Sequence, residues 1–286
     1  MAYLLLCIVS SSLLMVIFKV AGIRKLDNFK LIVINYITAS IFGFSIGGFP
    51  AADIIELNWL PLSVIIGILF ILIFLVMARS TQLTGIAPTT IATKMSVVIP
   101  ISFSIIYFSE RISILKIAGI ILAILSVFLT TYRKETKKIS NSSYAWFPLL
   151  LFAGSGIIDS LVKYTQESYL NEDLSIVFSS SLFLIAAISG FIISPFRKKS
   201  FKSWFKPDLI IMGITLGIVN FGSLYGIIMA LDSNVFDSSI VFGINNIGIV
   251  LLSILLALAL FKEKVSTLNR IGIGLSLVSI VVLSFV

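Results

Sequence analysis

Phe108-Ser109-Glu110-Arg111-Ile112-Ser113 recurs as Phe261-Lys262-Glu263-Lys264-Val265-Ser266, 153 positions further along (108 to 261). Both copies read F-x-E-[RK]-[IV]-S, and each follows a long apolar run. Continuing without a gap, Leu115, Gly119, Ile120, Leu122 and Ser126 align with Leu268, Gly272, Ile273, Leu275 and Ser279. A second alignment, offset by 144 (11 to 155), sets Ser11 to Lys19 on Ser155 to Lys163 and ends with Lys on Lys. Apolar segments share composition by default, so the charged motif and the paired lysines carry the weight. The chain reads as a duplication, with a first repeat over 1–138 and a second over 139–286.

Around these motifs the chain is too apolar for water. Of 286 residues, 58% are hydrophobic and 12% charged, against roughly 45–50% and 25% in soluble domains. A helix needs about 20 apolar residues to cross a bilayer core of ~30 Å. Ten runs qualify: Ala2–Val20, Phe29–Gly48, Trp59–Ala78, Ile86–Phe108, Ile112–Tyr132, Tyr144–Tyr164, Leu174–Ser194, Leu209–Leu231, Val235–Phe261 and Ile271–Val286. They are continuous rather than alternating, which predicts helices and not outer-membrane strands. Only Ser233 and Asn234 separate the eighth and ninth. The first run has no basic residues before it and ends in Lys19 rather than a cleavage site, so it reads as a retained span and not a signal.

Five spans per half is an odd number, so the second copy enters the membrane in the opposite sense. The expected fold is all-α, ten transmembrane helices in two inverted five-helix repeats, an arrangement secondary transporters use repeatedly. Sixteen Lys and Arg fall in loops after odd-numbered spans, and only Arg111 and Lys116 after even-numbered ones. Positive residues stay cytoplasmic, which predicts both termini outside an inner or plasma membrane. The same rule explains the net charge of +8 without nucleic acid.

Pro100 through Gly119, together with Phe261 through Gly272, resembles the EamA-type repeat of the drug/metabolite transporter superfamily, over essentially the whole chain. The resemblance implies ten spans in two halves, with spans three, four, eight and nine lining a central path. Two features depart from it. Familiar members are drawn with cytoplasmic termini, and Ser253 stands where the first half has Pro100.

Charges within a bilayer are costly and mark function. Lys94 lies inside the fourth span, with Thr90 and Thr93 on or beside its face. A cavity-facing Lys binds carboxylate or phosphate; a Lys near an interface snorkels instead. Asp159 and Lys163 are spaced i, i+4 with the acid first, the better order for a helix ion pair. They are candidates for coupling to a proton or another ion, or for a purely structural pair. Lys19 reads as an interfacial anchor. Glu110, Arg111, Glu263 and Lys264 read as a structural motif opening helices five and ten, with the carboxylates at the positive end of the helix and the following Ser as cap. Uncharged polar candidates for a binding site are Asn35 and Tyr36, then Asn220, Ser223 and Tyr225, then Asn245 and Asn246; each must face protein or a water-filled cavity. The resemblance favours Lys94, Asn220, Asn245 and Asn246. Gly213 with Gly217, and Gly222 with Gly226, form G-x-x-x-G pairs suited to close helix approach.

These residues point to a secondary transporter of a small polar metabolite, amino-acid-like or an organic anion, moved by alternating access. Export of lipophilic cations or drugs is the alternative. A membrane-embedded lipid-modifying enzyme is a weaker one, because the chain has no His and a single Cys, and Glu172-Asp173 is its one adjacent acidic pair. No cofactor or metal pattern is legible, and no P-loop. The lipid bilayer and a small solute are the expected partners; monomer and homodimer both stay open.

Overall fold

The computed structural model describes residues 1–48, 59–107, 112–132, 144–169, 175–196, 204–233, 235–236 and 238–285. Eleven α-helices follow one another: α1 (Ala2–Ile23), α2 (Asn28–Gly47), α3 (Leu60–Leu83), α4 (Ile86–Met95), α5 (Val98–Tyr107), α6 (Ile114–Thr131), α7 (Trp146–Tyr169), α8 (Ser175–Ile193), α9 (Pro207–Asp232), α10 (Ser238–Phe261) and α11 (Thr267–Ser284). With α4 and α5 counted as one broken span, ten are long and apolar enough to cross a membrane. The protein is an all-helical membrane protein.

Helix starts follow local chemistry. Asp27 accepts from the Phe29 N–H at α2, Ser113 from Lys116 N–H at α6 and Ser266 from Asn269 N–H at α11, each satisfying an otherwise orphaned donor. The motif serines therefore cap as expected. Glu110 and Arg111 lie outside the described residues.

Several expected boundaries move. Helix α1 runs to Ile23 rather than Val20, and α3 to Leu83 rather than Ala78, which puts Arg79 on a helix. Helix α7 continues to Tyr169, so Lys163 is no longer near its end. Helix α10 starts at Ser238 rather than Val235. Lys30, counted above as a loop cation, sits buried in the first turn of α2 with Nζ 5.3 Å from the Trp204 ring centre.

Packing relies on small residues and on hydroxyls that return their protons to their own helix, as a bilayer demands. Along α9, a Cβ on Gly217 would meet the Asn35 carbonyl of α2 at 2.7 Å, and one on Gly226 would meet Tyr3 O and Cys7 N of α1, each at 2.8 Å. The G-x-x-x-G stripes are thus where α1 and α2 lie against α9. Helices α6 and α11 make the most extensive pairing. There Ser279 Oγ donates to Gly119 O at 2.8 Å, and a Cβ on Gly272 would stand 3.0 Å from Ser126 O. Outward surfaces are apolar: Ile106, Ile114 and Leu255 are 81%, 86% and 60% exposed, a belt that only lipid would cover.

Candidate functional site

The fourth span breaks at Ser96-Val97. Pro100 is the cause, since it has no N–H to give the Ser96 carbonyl and its ring crowds that oxygen. The carbonyl instead accepts from Ile99 N–H at 2.9 Å, and Ser96 Oγ folds back to donate to Thr93 O at 2.6 Å. The negative end of the α4 dipole therefore stops in mid-membrane, with Lys94 in its last turn. In the second half α10 is unbroken, with Ser253 in place of Pro100.

Beside the break lies a cavity of about 760 Å³. Lys94 reaches it from α4 and Asp159 from α7, and Asp159 is exposed into it. Ser96 Oγ stands 3.5 Å from Asp159 Oδ2, a loose contact because the hydroxyl proton already goes to Thr93 O. Asn220 of α9 and Asn245 of α10 line the opposite wall. They are 7% and 4% exposed, and each carries a buried side-chain atom that has no hydrogen-bond partner among the described residues, Nδ2 of Asn220 and Oδ1 of Asn245. Phe70, Phe74 and Phe183 form an aromatic flank. Tyr36 stands behind them, with ring centres 6.3, 5.2 and 5.8 Å from the three.

The walls come from the N-terminal half of α1, the C-terminal parts of α7 and α9 and the N-terminal part of α10, with Pro100 and Ile101 at the start of α5. Successive spans alternate direction, so these ends share one side of the membrane. On the other side an ion pair bridges α1 and the end of α10, beside a second cavity of about 470 Å³. There Lys19 Nζ lies 2.8 Å from Glu263 Oε1 and 3.3 Å from Thr81 O. Both Glu263 oxygens accept from the Ile86 N–H, at 3.2 and 3.0 Å, at the start of α4. Gly85 precedes it with φ +106°, and a Cβ there would sit 2.8 Å from Glu263 Oε2.

Against the sequence expectations, the structure gathers Thr93, Lys94, Asp159, Lys163, Asn220, Asn245 and Asn246 around one cavity, with Ser223 beside them. It leaves four candidates out. Tyr36 is fully buried and donates to Phe70 O at 3.0 Å. Asn35 is buried beside Gly217, with neither side-chain atom partnered. Thr90, a turn before Lys94, is buried with its hydroxyl unpartnered. Tyr225 stacks on Phe221 at 5.7 Å. Among the described residues no ion pair joins Asp159 to Lys163: Lys163 Nζ reaches Ser104 Oγ at 2.6 Å and Glu167 Oε1 at 3.6 Å, one turn later. Lys19 is no free anchor, and Glu263 serves the start of α4 rather than its own following helix. Lys264 is exposed between α10 and α11. The aromatic flank was not legible, because 23 Phe leave no pattern to single out three.

No family model matches the sequence. An uncharacterized protein of Haemophilus influenzae is 28% identical over 285 residues, covering 97% of this chain and 94% of the relative. A protein of known crystal structure superposes with a TM-score of 0.62 over 98% of this chain and 94% of that one, at 15% identity. At that identity the likeness is one of fold.

Proposed function

We propose that this protein is a secondary transporter that moves a small polar metabolite, amino-acid-like or an organic anion, by alternating access between two inverted five-helix repeats of EamA type. One observation carries the reading: a mid-membrane cavity at a proline-broken helix, with Lys94 at the helix end, open towards one side and with an ion pair bridging α1 and the end of α10 at the other. Broken half-helices at a repeat interface are how transporters place charge at a substrate. The packing also supports two related halves. Contacts of α1 with α9 are matched by α7 with α3, and those of α2 with α9 by α8 with α3. Gly119 and Ser126 of one motif meet Ser279 and Gly272, their mates, across α6 and α11. The charge bias supports an inner or plasma membrane location with both termini outside, so the open side faces out.

Exchange of radiolabelled amino acids and organic anions across proteoliposomes tests the reading. Uptake by the wild type, reduced at least tenfold by Lys94→Ala at unchanged reconstitution, is the expected result. A protein that exchanges no member of that panel and accumulates lipophilic cations instead would be the drug exporter that Asp159 and the phenylalanine flank also suit.

A further inference from the structure

We infer that an anionic phospholipid binds at the α10–α11 turn, with its phosphate between Lys264 and Arg270 and one acyl chain along Ile254, Leu258 and Ile273. This goes beyond the transporter reading and does not depend on it. The first ground is shape. A groove of about 590 Å³ lies between α10 and α11, with Lys264 and Arg270 at the turn and the three apolar side chains further along the helices. Ile254 lies seven residues before the end of α10 (254 to 261), about 10 Å deeper in the membrane. The groove opens into the lipid-facing belt, where Leu258 and its neighbour Leu255 are 43% and 60% exposed.

The second ground is charge. Phe261 ends α10, Lys262 turns the chain in the left-handed region (φ +51°), and the Glu263 N–H closes the turn on Ala257 O at 3.2 Å, the usual way to stop a helix sharply. The Glu263 carboxylate then meets Lys19 and the Ile86 N–H, while Lys264 is left exposed. Asn269 Nδ2 donates to Thr130 O at 2.9 Å, and Ser266 caps α11. Among the described residues neither Lys264 nor Arg270 has an ion-pair or hydrogen-bond partner for its side chain. One groove thus presents two unpaired cations beside an acid that is already neutralised. By the motif alignment Arg270 falls on Ile117, so the pair is peculiar to this turn.

The third ground is that one ligand must meet both needs. A phosphate suits the two cations, Arg through its fork of donors and Lys as a point charge, and basic pockets between membrane helices take anionic headgroups. A soluble phosphate would leave the apolar floor unfilled, losing the packing contacts a chain supplies there. A zwitterionic lipid fills the floor but brings its own ammonium towards two cations. A lipid with net negative charge fills the floor and pairs the cations.

The test uses the purified full chain in detergent and three probes: dioleoyl phosphatidylglycerol, dioleoyl phosphatidylcholine (the same chains, no net charge) and glycerol 3-phosphate (the phosphate without chains). Ligands that bind the folded state raise its unfolding midpoint, and native mass spectrometry counts the lipids retained. Phosphatidylglycerol is expected to raise the midpoint saturably, with one tightly retained copy. Phosphatidylcholine should need at least ten times the concentration, and glycerol 3-phosphate should do nothing at that excess. Lys264→Gln with Arg270→Gln should weaken phosphatidylglycerol binding roughly thirtyfold, about fivefold per cation. Both side chains are exposed, so the double variant should keep the lipid-free midpoint; the probe series reads the wild type and stands without it. Arg24→Gln with Lys25→Gln, exposed on the α1–α2 turn at the same side of the membrane, is the matched control and should change binding less than twofold. Equal binding of the two lipids, stabilisation by glycerol 3-phosphate alone, or an equal loss in the control variant overturns the inference. The first would leave an apolar groove that does not select charge, the second a site for a soluble anion, and the third a diffuse attraction of lipid to basic loops.

Discussion

Replacing Glu263 by Gln tests whether the ion-paired side is a gate. The carboxylate joins three things: Lys19 of α1 at 2.8 Å, the backbone N–H of Ile86, and the close approach of Gly85. Lys19 and Ile86 belong to the first half and Glu263 to the second, so opening this side must pull them apart. The side chains of Lys19 and Glu263 are only 19% and 15% exposed, so solvent screening is limited. Gln keeps an oxygen for the Ile86 N–H but loses the ionic contact. A hydrogen bond to a charged partner contributes about 1.5–3 kcal/mol, and every 1.4 kcal/mol is a factor of about ten. The population open on the Lys19 side should therefore rise roughly ten- to a hundredfold. While that population is the minor one, the whole factor appears in any rate proportional to it.

Val162→Cys in a Cys7→Ser background supplies the assay. Val162 lines the cavity one turn from Asp159, and Cys7 is the chain's single cysteine. A membrane-impermeant thiol reagent applied from the Lys19 side should label the introduced thiol at least ten times faster once Glu263→Gln is added. Gly85→Ala should act in the same direction, because φ +106° strains any residue with a Cβ and that Cβ would crowd Glu263. The two changes break one contact, so their effects should not add. Labelling from that side unchanged within twofold, with the unfolding midpoint preserved, would show that the ion pair is a staple of the fold and that opening happens elsewhere.

Pro100→Ala restores an N–H that can reach the Ser96 carbonyl, as the unbroken α10 does around Ser253; transport should fall at least tenfold while the unfolding midpoint stays or rises. Gly226→Ala places a Cβ against backbone atoms of Tyr3 and Cys7 that cannot give way; it should destabilise the protein by about 1–3 kcal/mol, read as a lower midpoint in detergent. Gly274→Ala, where a Cβ meets nothing within 4 Å, is the matched control and should leave the midpoint unchanged or slightly higher.

Much of the architecture was legible because it follows from one-dimensional quantities. Run length and hydropathy set ten spans, and Ser113 and Ser266 announced helix starts by residue type alone. Boundaries drifted where helices continue past the bilayer core, as α7 does through Glu167, because hydropathy reports the lipid and not the last hydrogen bond. Lys94 and Asp159 were legible as charges in the wrong solvent. Their relation was not, because Asp159 had an i+4 lysine on its own helix and the spacing rule favours that neighbour. It cannot see that Ser104 and Glu167 occupy Lys163. Glu263 was misassigned for the same reason, since its contacts lie 177 and 244 residues earlier (86 and 19) and local rules look forward to the next helix. Tyr36, Asn35, Thr90 and Tyr225 show the converse limit: polarity inside a span marks a need for partners, not the wall it will line.

On the proposed duplication, the site is lopsided for a physical reason. By the two alignments, Lys94 has Ile247 as its mate and Asp159 has Met15, while Pro100 has Ser253. A strictly symmetric pair of halves would place two lysines and two acids at the midplane, four charges whose desolvation a small solute could not offset. One of each, from opposite halves, leaves a site neutral overall and polar along a single direction. The scaffold residues kept their symmetry where symmetry costs nothing: Gly119 meets Ser279, and Ser126 meets Gly272, across α6 and α11. Lys19 and Lys163 kept theirs too. The first is paired with Glu263 on one side; the second stands on the open side, with Nζ on Ser104 and Glu167. On the alternating-access reading, exchanging the conformations of the halves gives Lys163 the closing role that Lys19 holds here. That assigns Lys163 to the gate and leaves Asp159, one turn deeper, to the solute.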